Sequence, residues 1–307
     1  SVRIENNGIV FISESINPLA PFRYYARACD LIKEIQPDWV VGFSDTYYGI
    51  LAEHLGRKFG IKSAIDAYDN FESYIPYFKP LHLLWRRSLN NATMVTAAGP
   101  QLEELLQIYR PGKPVHVVPM VADPEFNPID RIESRRLLNL PLDKKMVGYC
   151  GSIYLNRGID CLFQALERES LRNQGIELIL TGRKQRGIHL PANAKWLGYL
   201  SDEKIPSFLN SLDVAVVSNR ISRFGSYSYP VKLYEAMQCQ IPVVATDTGP
   251  ARWILNDRHQ FLTSPGDSSD LAKKIGDLLT MDRYDYGSLP EWTTSSRAFE
   301  NALLAIR

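Results

Sequence analysis

The feature that most limits what this chain can fold into is an alternation that occurs twice. Short apolar runs rich in β-branched residues alternate with longer stretches of helical period, and each parallel strand needs such a crossover before the next. In the first series the strand-like runs are GIVFI (8–12), WVVGF (39–43), IKSAID (61–66), TMVTA (93–97) and VHVVP (115–119). The clearest helix between them covers 20–35, where Phe22, Tyr25, Ala26, Cys29 and Ile32 fall on one stripe. In the second series they are MVGYC (146–150), IELILT (176–181), KWL (195–197), VAVV (214–217), PVVAT (242–246) and QFLT (260–263), with helices expected at 158–169, 202–211, 230–239 and 268–281.

Between the series, PMVADPEFNPIDR, a short charged helix at 131–138 and NLPLDKK read as an interdomain linker. A chain of 307 residues exceeds the usual size of one domain. The expected fold is therefore α/β, with two Rossmann-like doubly wound domains, 1–140 and 146–290, facing a cleft. A separate helical segment, 291–307, is expected to pack back on the first domain. Such sheets bind ligands beyond the carboxyl ends of their strands, which makes the cleft the expected site.

Composition narrows the function by exclusion. A net charge of +1 gives no field that would select nucleic acid as a partner. Cys29, Cys150, Cys161 and Cys239 lack C-x-x-C or zinc-ligand spacing, and five scattered histidines add no metal pattern, so no metal site and a reducing cytoplasm are expected. No apolar run approaches the roughly 20 residues that span a bilayer, and SVRIENNG is no signal peptide.

Three strand ends of the second series run into loops suited to an anion. MVGYC is followed by GSIYLNRG, where Gly151 and Gly158 free the backbone and Arg157 stands at the mouth of the next helix. The alternative is an ordinary βα turn with a surface Arg, and no G-x-G-x-x-G fingerprint is present. IELILT is followed by GRKQRG, in which Arg183 is placed to face the cleft, while Lys184 and Arg186 read as solvated. VAVV is followed by SNRISRFGSYSYP, which delivers Pro230 to a helix start. Ser226, Ser228 and the N–H groups near Val231 and Lys232 can hold a phosphate there. Glu235, one turn deeper, can accept both hydroxyls of a ribose, although Lys232 and Glu235 also have the spacing of an i,i+3 salt bridge.

These segments together resemble a GT-B glycosyltransferase of the large retaining family 4 (group 1), over nearly the whole chain. GYCGSIYLNRGIDCLFQAL, WLGYLSDEKIPSFLNSLDVAVVSN and PVKLYEAMQCQIPVVATDTG carry the resemblance in the second half, the last as the P-x-K-x-x-E variant of the donor motif. IQPDWVVGFSD, NNATMVTAAGPQLEELL and VHVVPMVADPEFNP carry it in the first. The resemblance implies that Arg157 and Lys232 contact the donor diphosphate and stabilise its growing charge, that Glu235 binds the ribose, and that backbone near Tyr199 and Leu200 holds the base. Tyr229, Pro230 and Val231 would supply amide and packing contacts to the pyrophosphate. It implies sugar transfer with retention from a nucleotide-sugar co-substrate, UDP- or GDP-linked, to a glycan or lipid-linked acceptor, with no cofactor and no metal.

The departures from the family pattern bear on activity. Tyr227 stands where fuller motifs carry an acid, Met120 and Val121 replace Asn and Gly, and Gln240 stands at a position commonly Gly. No counterpart of the family's first βαβ segment precedes GIVFI, and the chain does not open on Met. A protein of this fold that binds a nucleotide or partner without transfer is the rival reading; a sugar-nucleotide epimerase is a third, without the acidic and His groups it needs. Asp66 and Asp69 lie at a strand end on the acceptor side, where cap or turn roles compete with a site role. In 71–90, Phe71, Tyr74, Tyr77, Phe78 and Trp85 interleave with Lys79, Arg86 and Arg87, a segment that can rest peripherally on the inner face of a membrane or supply core aromatics.

Overall fold

The computed structural model describes residues 2–6, 9–13 and 20–306. In the first part, β1 (Val2–Asn6) and β2 (Ile9–Ser13) precede α1 (Ala20–Ile35), β3 (Trp39–Phe43), α2 (Thr46–Phe59), β4 (Lys62–Ala67) and α3 (Lys79–Asn91). Then come β5 (Met94–Ala97), α4 (Pro100–Gln107), β6 (His116–Val117) and α5 (Arg131–Leu137). The second part runs β7 (Met146–Cys150), α6 (Ile159–Glu167), α7 (Glu169–Arg172), β8 (Glu177–Thr181), β9 (Ala194–Trp196), α8 (Ile205–Asn210) and β10 (Val214–Val217). It closes with α9 (Val231–Gln238), β11 (Val243–Thr246), α10 (Gly249–Ile254), β12 (Leu262–Thr263), α11 (Ser268–Leu278) and α12 (Trp292–Leu304).

Two parallel sheets result. The first has the order β3-β4-β5-β6, and its register sets Phe43, Asp66 and Thr96 level at the carboxyl end. The second has the order β12-β11-β10-β7-β8-β9, so the direction of winding reverses between β7 and β10. A reversal of this kind opens a crevice beyond the strand ends. Met146, Val147, Leu178, Ile179 and Leu180 are fully buried because helices cover both faces of the sheet, which explains why these strands read as unbroken apolar runs.

GIVFI does not join the parallel series. Ile9–Ser13 pairs antiparallel with Val2–Asn6 in a separate two-stranded sheet. The physical reason is local: VRIEN and IVFIS flank Asn7-Gly8, a strong hairpin sequence, so the nearer partner wins. The helix expected at 158–169 ends at Glu167, and a short separate turn of helix follows.

Buried polar groups tie the linker and the helices down. Asp213 accepts from Met146 N (2.7 Å) and Arg135 Nη2 (2.8 Å), and Arg131 Nη1 lies 3.2 Å from it, which fixes α5 to the second sheet. Arg283 donates to Ile129 O and Cys239 O, holding the linker from the other side. In the first domain the buried Arg110 donates to the carbonyls of Leu89, Ala92 and Thr93 at and just past the end of α3, and to Pro114 O before β6. The last helix lies on the first sheet: Ala302 packs with Ala64 and Met94, and Ser295 Oγ donates to Pro119 O.

Gln240 closes α9 in the left-handed conformation, with φ of 58°. Ile241 N donates to Ala236 O and Gln240 N to Met237 O, the paired bonds of a Schellman cap. A side chain there carries a steric cost that Gly would not. Gln240→Gly is expected to raise stability by about 1 kcal/mol in urea unfolding, partly offset by the freer unfolded chain.

Candidate functional site

The carboxyl ends of β7 and β8 bound a cavity of about 290 Å³. Gly151, Arg183, Tyr199, Leu200 and Lys232 line it, together with Cys150, Ser152, Thr181, Gly182, Asp202 and Ile205. Backbone geometry keeps it open. Gly182 has φ of 124°, and a Cβ there would lie 2.0 Å from Gly151 O. Tyr199 is 69% exposed at the rim, and the Arg183 guanidinium sits 5.9 Å from its ring centroid. A flat aromatic edge and a nearby cation suit a nucleobase.

Lys232 is held by Glu235. Its Nζ lies 3.0 Å from Oε2 and donates to Oε1 at 3.2 Å; the Glu235 side chain is 8% exposed and that of Lys232 is 41%. The Oε2 atom is buried and makes no hydrogen bond, although the ion pair reaches it. Burial raises the Glu235 pKa, against the attraction of Lys232, with Asp202 adding to the rise. Burial alone would lower the Lys232 ammonium, but the charge and hydrogen bond of Glu235 work against it and the pKa is raised. Burial pushes the Cys150 thiol up to about 11, so a thiol rather than a thiolate faces the cavity. Thus the i,i+3 pair exists, and Glu235 lies behind Lys232 rather than on the cavity wall.

Arg157 is not on that wall either. It ends a 3-10 turn, Leu155–Arg157, and its guanidinium stacks 4.2 Å from the centroid of Phe224. Tyr74 of the first domain packs against the same Phe224, centroid to centroid 6.0 Å, and donates to Asp69 Oδ2 at 2.6 Å. Burial raises the Asp69 carboxyl to about 6, against hydrogen bonds from Tyr74 and Ser228 and the charge of Arg157. Asp66 is held by Thr96 Oγ1 within the first sheet, and burial raises its pKa.

The Tyr229 side chain goes to the seam between the domains rather than to the cavity. It is 3% exposed, its hydroxyl accepts from Gln101 N (3.0 Å) and donates to Gln101 Oε1 (2.6 Å), and it packs on Gly99, where a Cβ would lie 2.1 Å from the ring. Pro230 precedes α9 as its cap, its carbonyl accepts from Leu233 N at 2.9 Å, and neither it nor Val231 lines the 290 Å³ cavity. Of the aromatic segment, Phe71 (3% exposed) and Trp85 (2%) are core, and Arg86 is bonded through both Nε and Nη2 to Glu72. Tyr77, Phe78, Leu83 and Leu84 are exposed. A larger cavity, about 450 Å³, opens beside Asp160, Arg220 and Thr246 on the other half of the sheet and holds none of the side chains expected to bind a ligand.

Residues 144–281 match the family described as Glycosyl transferases group 1. The group 1 stretch holds every residue that lines the 290 Å³ cavity. Among curated relatives, a D-inositol 3-phosphate glycosyltransferase of Stackebrandtia nassauensis is 28% identical over 212 residues, 61% of this chain and 46% of that protein. A putative teichuronic acid biosynthesis glycosyltransferase, TuaC of Bacillus subtilis, is 23% identical over 66% of this chain and 51% of its own length. The matched stretches span about half the length of these relatives. Among solved structures, sucrose-phosphate synthase of Thermosynechococcus elongatus superposes with a TM-score of 0.75 at 18% identity, covering 99% of this chain and 81% of that one. HepE of Anabaena, solved with UDP, gives 0.73 at 17% identity, covering 94% and 84%. The fold, with the group 1 stretch as its second half, is that of the GT-B glycosyltransferases.

The cavity residues that the sequence did not single out as binding are Cys150, Ser152, Thr181, Gly182, Asp202 and Ile205. Two of them were within reach, since Cys150 and Thr181 are the last residues of strand runs whose ends were expected to meet the ligand. Phe224 carried no signal, because its role arises only when Arg157 and Tyr74 converge on it.

Proposed function

We propose that the protein is a glycosyltransferase that takes a sugar from a nucleoside diphosphate sugar and transfers it, with retention and without an obligatory metal, to a glycan or lipid-linked acceptor. The observation that carries this reading is the cavity at the ends of β7 and β8, inside the group 1 stretch, with Lys232 on its wall and Glu235 directly behind. The base lies by Tyr199 and Leu200. The ribose reaches Glu235 by displacing Lys232 from one carboxylate oxygen, and the freed ammonium turns to the diphosphate. Arg157 and Lys232 stabilise the charge that grows on the leaving diphosphate. Asp66 and Asp69 stand on the acceptor side, in the first domain. UDP is the first donor base to test, because UDP is the ligand of HepE.

Exposed Tyr77, Phe78, Leu83 and Leu84, beside Lys79 and Arg87, support a peripheral contact of this face with a membrane surface. No described helix is long and apolar enough to cross a membrane. One observation favours binding without transfer: Tyr227, partly buried against the core, occupies the place of the family's acid. A thermal-shift panel of UDP, GDP, ADP and their glucose or mannose conjugates tests the function. One base class is expected to raise Tm by several degrees at 100 Kd; no shift with any of them rules out a donor site here. Release of nucleoside diphosphate on adding an acceptor then separates transfer from binding alone.

A further inference from the structure

The chain passes between the domains twice, through the linker ahead of β7 and again between α11 and α12, the helix that lies on the first sheet. A cavity of about 510 Å³ lies where the two crossings run side by side, bounded by residues 129–132 of the first and by Asp282 and Arg283 of the second. Lys145 and Asp213, which precede β7 and β10, also line it, so it stands at the amino end of the second sheet, away from the 290 Å³ cavity.

Its buried side carries more positive charge than negative. Arg131, Arg135 and Lys145 converge on one carboxylate, Asp213, at 3.2, 2.8 and 3.4 Å. The side chains of Arg135 and Asp213 are 4% and 3% exposed, and that of Arg131 is 19% exposed. Arg283 donates to three neutral oxygens, Asn210 Oδ1, Cys239 O and Ile129 O. Burial and then the charge of Arg131 lower its pKa, as befits cations gathered around too few anions. Asp130 and Asp143 are exposed, and Asp282 meets Arg131 at 2.6 Å from a side chain 83% exposed, where water screens the pair. Arg131 Nε is buried and makes no hydrogen bond. A buried guanidinium N–H without an acceptor is costly, and an incoming oxyanion removes that cost.

We propose that this cavity between the two interdomain crossings is an anion site for the phosphoryl group of a small molecule, with Arg131 Nε donating to it and Lys144 and Lys145 closing over it from the solvent side. Three arginines against Asp213 leave an excess of about two positive charges on the buried side, and a phosphate monoester brings about that many negative ones. Its tetrahedral oxygens also accept from guanidinium and ammonium groups at once, which a single carboxylate does less well. A phosphoryl group held here joins residues of both crossings, so its binding restrains the hinge between the domains. The site is independent of the donor reading.

Titration of inorganic phosphate and of glycerol 3-phosphate, each followed by Tm against chloride at equal ionic strength, tests this. At least one is expected to give a saturable rise of several degrees at 100 Kd, and the tighter of the two identifies free ion or ester as the source of the phosphoryl group. Its binding should slow amide exchange at 129–135 and 281–284 and leave 150–152 and 199–205 unchanged. The rise should persist in Lys232→Ala, which takes a cation from the other cavity. In the double variant Lys144→Ala, Lys145→Ala the Kd should weaken about tenfold; these side chains are exposed and half-exposed, and the Arg135–Asp213 pair that holds α5 remains. No saturable rise over chloride, protection confined to 150–152 and 199–205, a rise lost in Lys232→Ala, or an unchanged Kd in the folded double variant overturns the proposal and leaves the donor site standing.

Discussion

Lys232→Ala is expected to lower kcat/KM for sugar transfer by about 10²–10³-fold. Lys232 and Arg183 are the cations that line the 290 Å³ cavity, and Arg183 lies by the Tyr199 ring at the rim, which leaves Lys232 as the one proposed to meet the leaving diphosphate. The same change leaves Glu235, with its side chain 8% exposed, without its partner. Because the Lys232 side chain is 41% exposed, water softens that loss, and a stability cost of about 1 kcal/mol is expected rather than that of a fully buried pair. Steady-state kinetics beside a urea unfolding curve separates the two effects: the rate should collapse while the midpoint moves modestly. A rate within a few fold of wild type would remove Lys232 from the chemistry.

Arg157→Ala is expected to cost about 10²-fold in kcat, with a smaller change in donor affinity, if its guanidinium acts mainly on charge that develops as the bond breaks. It has a structural role as well, since it stacks on Phe224 at the seam where Tyr74 also packs. Arg157→Lys keeps the charge and loses the planar stack, so partial rescue of kcat by Lys would assign the effect to charge. Equal loss in both variants would assign it to the seam. Single-turnover measurement at saturating donor reads the difference without interference from product release.

The parts of the structure that were legible in the sequence are those set by local chemistry. Every strand of the two parallel sheets was marked by its apolar run, and the ends of MVGYC and IELILT pointed to the cavity they line. The Lys232–Glu235 pair was implied by spacing within one helix, and Gln240, now seen in the left-handed cap, was marked by standing where the family pattern commonly has Gly. What the sequence could not reveal depends on contacts between distant segments. Tyr229 was expected near the pyrophosphate, yet its ring is spent on Gly99 and Gln101, 128 residues away from the latter in the chain. Arg157 was expected beside Lys232, yet it stacks on a phenylalanine from a loop with no regular pattern. GIVFI has the composition of a buried parallel strand, and composition does not tell such a strand from one arm of a hairpin. The burial of Phe71 and Trp85 separates core aromatics from the exposed Tyr77 and Phe78, a division that helical spacing alone does not make in a segment that turns.

The measurement that bears most directly on the donor site is calorimetric titration of the nucleoside diphosphate selected by the thermal-shift panel into wild type and Glu235→Ala. A carboxylate accepting both ribose hydroxyls makes charge-assisted bonds of about 1.5–3 kcal/mol, so its removal is expected to weaken binding at least tenfold. An unchanged Kd in a folded Glu235→Ala protein would mean that the nucleotide does not reach Glu235, and that the pair with Lys232 is only a salt bridge.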